Sequence, residues 1–374
     1  MIYLDSAATS LIKPDSVQYA MVNAMTNCAS PGRGGHPQAM RAAQECYTCR
    51  ENAATLFNVE KPENIIFTFN ATHALNIAIR SLVSEGTRVA VSGYEHNSVM
   101  RPLRAYGAKI ITVATPLFDT TAFLRELSGV IREVDVVVCT HVSNVFGYIL
   151  PIREVAQLCR KYKKPLIIDA SQSAGLERID AMILSADFIA APGHKALLGP
   201  QGTGILICKN EAKPLLYGGS GTDSRLPLMP DYLPDKLEAG THNVPGIAGL
   251  NAGIKFILEH PAQYSAKRER YLRELFCSQL EGADLKVFMS KQTNLQSGVL
   301  SVVPENMSCE VYADALSDVG ISVRAGLHCS PLAHETAGTL QTGTVRFSFS
   351  PLLGDDEVIQ AAETAKKLSF LARI

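Results

Sequence analysis

Between Asn64 and Cys208 the chain alternates short, nearly all-apolar runs with stretches whose apolar residues recur at helical spacing. The runs NIIFT (64–68), RVAVSG (88–93), AKIITVAT (108–115), VDVVVCT (134–140), PLIIDA (165–170), DFIAAP (187–192) and TGILIC (203–208) are rich in β-branched residues and predict strands. Helical patterns begin at Ala71, pass through Met100 and Leu103, and recur in FLRELSGVI and REVAQLCRKYKK. Strands without an alternating polar face belong in a sheet covered by helices on both sides, and this strand–helix order makes the sheet mainly parallel.

The pattern changes between about Lys209 and Gly246. There GGSGTDSRLPLMPDYLP is rich in Gly and Pro and has no periodicity, which marks a long connection. A helical stretch from Ile247 through Leu280 follows, then the runs LKVFMS and GVLSVVP, the helical pattern CEVYADALSDVG, the runs ISVRAG and VRFSFSP, and a last helix from Asp355. The reading is an α/β chain with a large domain over residues 1–250 and a smaller α+β domain over 251–374. The N-terminal arm, residues 1–20, is expected to join the small domain or a dimer interface.

With 374 residues and 47% hydrophobic content the chain can bury a large core. Thirty-five Lys plus Arg stand against 36 Asp plus Glu, so no global field draws in nucleic acid or an anionic membrane. Small molecules and proteins are the expected partners. MIYLDSAATS carries no basic start with an apolar core, no run approaches a membrane span, and the cytoplasm is the expected location. The nine cysteines are scattered, which argues for reduced thiols. Cys139 and Cys208 fall in apolar runs, and Cys159 and Cys277 in helical patterns. Cys46 and Cys49 lie inside an amphipathic helix from Gln38 to Phe57, where neither a redox pair nor a metal site is expected. All eight cysteines other than Cys329 are expected to be buried and unreactive. Cys329 sits in RAGLHCSPL (324–332), a segment with no periodicity.

Parallel sheets bind ligands at the C-terminal ends of their strands. Here those ends carry Asn70, Thr72 and His73; Glu95 and His96; His141, Ser143 and Asn144; Asp169, Ser171 and Gln172; and His194 and Lys195. Lys195, among apolar residues and glycines, is placed for desolvation to lower its pKa and free its amine to attack a carbonyl. Asp169 ends an apolar strand, where an unpaired carboxylate is costly and a pyridinium nitrogen satisfies it. Together they suggest pyridoxal phosphate. GPQGTG lacks the features of a nucleotide loop and reads as a turn supporting the lysine.

The segments YLDSAATS, NATHALN, EHNS, HVSNVFG, DASQSAG, GHKALLGPQGTG, EAGTHNVPG, RAGLHCSPL and VRFSFSP, in that order along nearly the whole chain, resemble cysteine desulfurases and selenocysteine lyases of the class V aminotransferase group. The resemblance implies a homodimer of the fold type I pyridoxal-phosphate enzymes. By it, Lys195 carries the cofactor as a Schiff base, Asp169 pairs with the ring nitrogen and Gln172 with the phenolic oxygen. His96 stacks on the ring and assists proton transfer. Ala71 and Thr72, opening a helix, bind the phosphate with His194, and Thr241 reaches it across the dimer interface. Asn144 lies near ring oxygen and substrate, Arg346 clamps the substrate carboxylate, and Arg33 faces the site from the partner chain.

By the same resemblance Cys329 takes sulfur from L-cysteine as a persulfide and passes it to an acceptor protein. Alternative activities are release of selenide from L-selenocysteine, or another class V reaction that does not use Cys329. The chain departs from the family pattern at Pro192, where a hydroxyl residue is common; His73 is expected to compensate. It has Leu327 and His328 where two histidines are common, which raises the question of whether His328 lowers the thiol pKa.

Overall fold

The computed structural model describes residues 1–31, 34–209 and 211–371. In chain order they form β1 (Ile2–Tyr3), α1 (Asp15–Asn27), α2 (Pro37–Phe57), β2 (Ile65–Thr68), α3 (Ala71–Leu82), β3 (Arg88–Ser92), α4 (Asn97–Ala105), β4 (Lys109–Val113), α5 (Thr120–Val130), β5 (Val136–Thr140), α6 (Ile152–Tyr162), β6 (Leu166–Asp169), α7 (Ala181–Leu184), β7 (Phe188–Pro192) and β8 (Gly204–Cys208). The second part holds α8 (Val244–Glu259), α9 (Ala266–Gln279), β9 (Leu285–Phe288), β10 (Val299–Pro304), α10 (Cys309–Asp318), β11 (Ile321–Ser322), β12 (Arg324–Gly326), α11 (Pro331–Ala337), β13 (Thr344–Ser348) and α12 (Asp355–Ser369).

The large sheet has seven strands in the order β2-β8-β7-β6-β5-β3-β4. From β4 to β7 neighbours are parallel, while β8 is antiparallel to both β7 and β2. Every residue of β5, β6, β7 and β8 is buried, as their apolar composition requires, and the edge strand β4 is partly exposed. Because β8 alone runs backwards, the C-terminal ends of β2, β3, β5, β6 and β7 share one edge. That edge carries the site.

The smaller sheet, β12-β13-β10-β9, is antiparallel throughout. One face buries Leu272 and Phe276 of α9, Tyr312 and Leu316 of α10, and Val358 and Ala361 of α12 in a core of its own. β1 pairs in parallel with β11, placing Ile2 opposite Ile321, and Asp5 bridges to Ser348. Residues 2–5 of the arm thus lie against this part, whereas α1 packs on α8.

Two of the expected segments divide in the structure, and α1, α7 and α11 have no counterpart in the sequence pattern. The helix expected from Ile247 through Leu280 is two helices, broken around Pro261, whose missing N–H cannot continue the ladder; Ser265 caps the second by accepting from the Arg268 N–H. ISVRAG divides into β11, which pairs with the arm, and β12, which pairs with β13. Among the described residues no helix is long and apolar enough to cross a membrane.

Candidate active site

At the shared edge a cavity of about 220 Å³ lies between the large sheet and β12–β13. One corner is the start of α3. Asn70 caps this helix by accepting from the His73 N–H at 2.9 Å, and the first-turn N–H groups of Ala71 and Thr72 have no intrahelical acceptor. Both residues line the cavity, which gives it a helix N-terminus suited to an anion. The close approach of β8 to this corner depends on Gly204, where a Cβ would stand 2.8 Å from the Asn70 carbonyl carbon. The Thr72 and Ser98 hydroxyls are 2.8 Å apart.

His96 precedes α4, and its Nδ1 accepts from the Ser98 N–H at 3.0 Å. An acceptor Nδ1 places the proton of the neutral ring on Nε2. Burial pushes the imidazole pKa down to about 4, opposed by the Asp169 carboxylate and reinforced by Lys195 and Arg346. Asp169 ends β6 and is buried. Its Oδ1 accepts from both the N–H and the hydroxyl of Ser171, while Oδ2 has no hydrogen bond among the described residues. Gln172 donates one N–H to the Ala7 carbonyl at 3.0 Å.

Lys195 follows β7 and opens onto the same cavity. Burial lowers its amine to about 8, with Asp169 pulling the other way. The turn after it is closed by the Leu198 N–H on the Lys195 carbonyl and the Gly199 N–H on the Gly193 carbonyl. Gly193 is required there, because a Cβ would lie 2.2 Å from the Thr203 hydroxyl. His194 bonds Thr9 through Nδ1, its carbonyl accepts from the Ser10 N–H, and burial lowers its pKa to about 4.

The opposite wall is the cysteine loop. Cys329 is the exposed member among the free cysteines and lines the cavity. His328 and Cys329 both have left-handed backbone, with φ of 49° and 57°; for L-residues each costs about 1–2 kcal/mol and needs outside restraint. Asn144 supplies it, donating to the His328 carbonyl at 2.8 Å and accepting from the Ser330 hydroxyl at 2.6 Å. Asn144 lines the cavity, and its amide is committed to this loop. The His328 ring contacts the Thr344 carbonyl and hydroxyl through Nε2, each at 3.1 Å. Burial, with Arg346 and His334 nearby, pushes it down to about 2. It stays neutral and places no positive charge beside Cys329.

Arg346 is buried on β13, with Nη2 2.6 Å from Asp5 Oδ1 and Nη1 donating to the Asn144 carbonyl at 3.0 Å. Directly across β12–β13 stands Arg324, exposed at the cavity.

The cavity therefore brings together Ala71, Thr72, His96, Asn144, Asp169, Gln172, His194, Lys195, Cys329 and Arg346. Several expected residues lie elsewhere. His141 is buried away from it, with its pKa pushed down to about 3, and the Ser143 hydroxyl caps its own turn. His73 does not stand in for the hydroxyl missing at Pro192: its ring stacks on Phe69 at 4.7 Å. It lines a separate small pocket together with Thr241. Arg33 lies outside the described residues. Of the cysteines expected to be buried, Cys28 and Cys277 are half-buried; burial raises the Cys277 thiol to about 12. Sequence reasoning gave no role to Ser98, Arg324 or Asp5, although each falls inside a quoted segment: EHNS, RAGLHCSPL and YLDSAATS.

Glu95, which follows β3, is wholly buried. Oε1 accepts from the Thr140 N–H at 2.7 Å and from the Ser92 hydroxyl, while Oε2 has no partner among the described residues. Burial raises its pKa to about 8, with the two hydrogen bonds opposing and Asp169 adding to the rise. A raised folded pKa means that the protonated form stabilises the fold. That contribution is complete below the ordinary value of 4.5 and is lost as pH rises toward 8. Glu95→Gln is expected to remove a slope of about 1.4 kcal/mol per pH unit across that window. Urea midpoints of the apo-protein and this variant between pH 5 and 8 check it; parallel pH dependence would contradict the neutral acid.

Residues 2–360 match the family model described as Aminotransferase class-V. A protein of Methanothermobacter thermautotrophicus named "Probable cysteine desulfurase" is 30% identical, over 98% of this chain and 94% of its own. One of the same name from Vibrio cholerae is 32% identical, over 96% and 91%. The apo structure of a cysteine desulfurase from Thermococcus onnurineus NA1 superposes with a TM-score of 0.88 at 28% identity, covering 98% of this chain and 94% of that one.

Proposed function

The chain belongs to the class-V aminotransferase family, and from that premise we propose that it is a pyridoxal-phosphate-dependent cysteine desulfurase. It converts L-cysteine to L-alanine and leaves the sulfur on Cys329. The observation that carries this reading is the exposed Cys329 thiol on the same cavity as Lys195 and Asp169.

The residues present fit the cofactor. The start of α3 and the Thr72 hydroxyl suit its phosphate, the spare Oδ2 of Asp169 its ring nitrogen, and Lys195 its aldehyde carbon. Bound there, the cofactor supplies an electron sink for the substrate's Cα and Cβ. The chain does the rest. Arg324 and Arg346 set a positive field for the substrate carboxylate. Lys195, with its amine held near 8, is partly unprotonated at neutral pH and takes the Cα proton. Neutral His96, carrying its proton on Nε2, is oriented to hold or move a proton at the reacting face. The Cys329 thiolate attacks the substrate sulfur, an S–S bond forms, the C–S bond breaks with its electron pair going to Cβ, and protonation gives alanine. The sum, cysteine plus thiol to alanine plus persulfide, needs no external oxidant or reductant.

We read the active form as a homodimer. Thr241 lies outside the cavity of its own chain, so a phosphate contact from it needs a second copy. Tyr19, Val22 and Met25 on the outer face of α1 are exposed apolar side chains that such a copy would cover. The exposed persulfide would then be handed to an acceptor protein.

The direct test is a product assay with L-cysteine and L-selenocysteine in parallel. Cysteine is expected to give alanine and, after brief incubation without acceptor, one added sulfur on the peptide carrying Cys329 and on none of the buried cysteines. Alanine without sulfur on that peptide would remove the persulfide step, and turnover confined to selenocysteine would replace the activity.

A further inference from the structure

Ser330 is fully buried and sits at the N-cap of α11, yet its hydroxyl makes no capping bond to that helix. A serine in this position ordinarily satisfies a first-turn N–H. Here the hydroxyl donates instead to Asn144 Oδ1 at 2.6 Å. That bond sets which way the amide faces: its oxygen is taken by Ser330, so its NH₂ meets the His328 carbonyl at 2.8 Å.

The two bonds straddle Cys329, one on the residue before it and one on the residue after. The Cys329 carbonyl is held in turn by the Asn97 N–H at 2.9 Å, at the start of α4 beside His96. His328 and Ser330 are buried while Cys329 between them is exposed, so the clasp projects the thiol and hides its neighbours. Asn144 also accepts from Arg346 through its backbone carbonyl. One residue therefore links the loop that carries the thiol to the guanidinium across the cavity.

We propose that Ser330 is a positioning residue for the Cys329 thiol, acting through Asn144 to fix the distance between the sulfur acceptor and the site where substrate is held. This rests on Cys329 being the sulfur acceptor. Transfer to a thiol needs near-contact and alignment of two sulfurs, and a displacement of about 1 Å costs on the order of 100-fold in rate. Proton removal at Cα uses Lys195, which the clasp does not touch.

Ser330→Ala removes the hydroxyl without adding volume. In the holo-protein, exchange of the substrate Cα proton and the KM for that exchange are expected to stay at parent values, while alanine formation falls by about 10- to 100-fold. In the apo-protein, backbone amide exchange over residues 324–337 is expected to rise several-fold, with the rest of the chain unchanged. Alanine formation within about 2-fold of the parent, or a matching fall in Cα exchange, would overturn the proposal. So would unchanged amide exchange over the loop, or lost protection throughout the chain, since the hydroxyl would then serve no positioning role or only the fold. Cys329→Ser measured alongside keeps the two readings apart: if that variant turns cysteine over, the acceptor assignment fails whatever Ser330→Ala does.

Discussion

Lys195→Ala is expected to bring alanine formation from L-cysteine to background, a loss of at least about 10³-fold, because the proposed mechanism gives both the covalent hold on the cofactor and the Cα base to this one side chain. The local environment explains why no neighbour substitutes. His96 and His194 are both held neutral near 4, but neither ring can hold an aldehyde carbon as a primary amine does. Among the described residues Lys195 is the lysine that lines the cavity. Borohydride treatment of the parent loaded with pyridoxal phosphate should fix the label to the peptide carrying Lys195, and the variant should take none covalently. Alanine formed by the variant at the parent rate would show that another group carries the chemistry.

Cys329→Ser should separate the reaction into two parts. The Cα proton should still exchange, since Lys195, Asp169 and His96 are untouched. Alanine release should fall by on the order of 10³-fold, because a hydroxyl is a poor nucleophile toward divalent sulfur where a thiolate is a good one. The change is small in volume and the position is exposed, so loss of packing cannot account for such an effect. No added sulfur should be found on the protein. Near-parent turnover of cysteine would exclude the persulfide route. Loss on cysteine with retention on selenocysteine would assign lyase chemistry to the site, since a selenium leaving group needs less help.

What could be read from the sequence follows burial. β5 to β8 are apolar at almost every position and lie in the middle of the sheet, so composition alone marks them. Asp169 and Lys195 stand out because charge at the end of such strands has few explanations. Which way a loop residue faces is another matter. His73, His96 and His141 occupy comparable places after strands, yet only His96 enters the cavity; a single turn of backbone decides. α1 is not legible because its buried residues are few, Val17 and Ala24, and its outer face is itself apolar, so no clear stripe forms. The Asp5–Arg346 pair is beyond local reading because 341 residues separate its members.

That separation also has a consequence for how the protein is made. Ile2 to Asp5 leave the ribosome early, but the strand they pair with and the guanidinium Asp5 meets are encoded after residue 320. The strands of the large sheet are all encoded by Cys208, and α8, which completes its core, by Glu259. The arm must wait for the other end, on the order of tens of seconds at ordinary elongation rates. The wall of the cavity that holds Arg346 is therefore among the last parts to close.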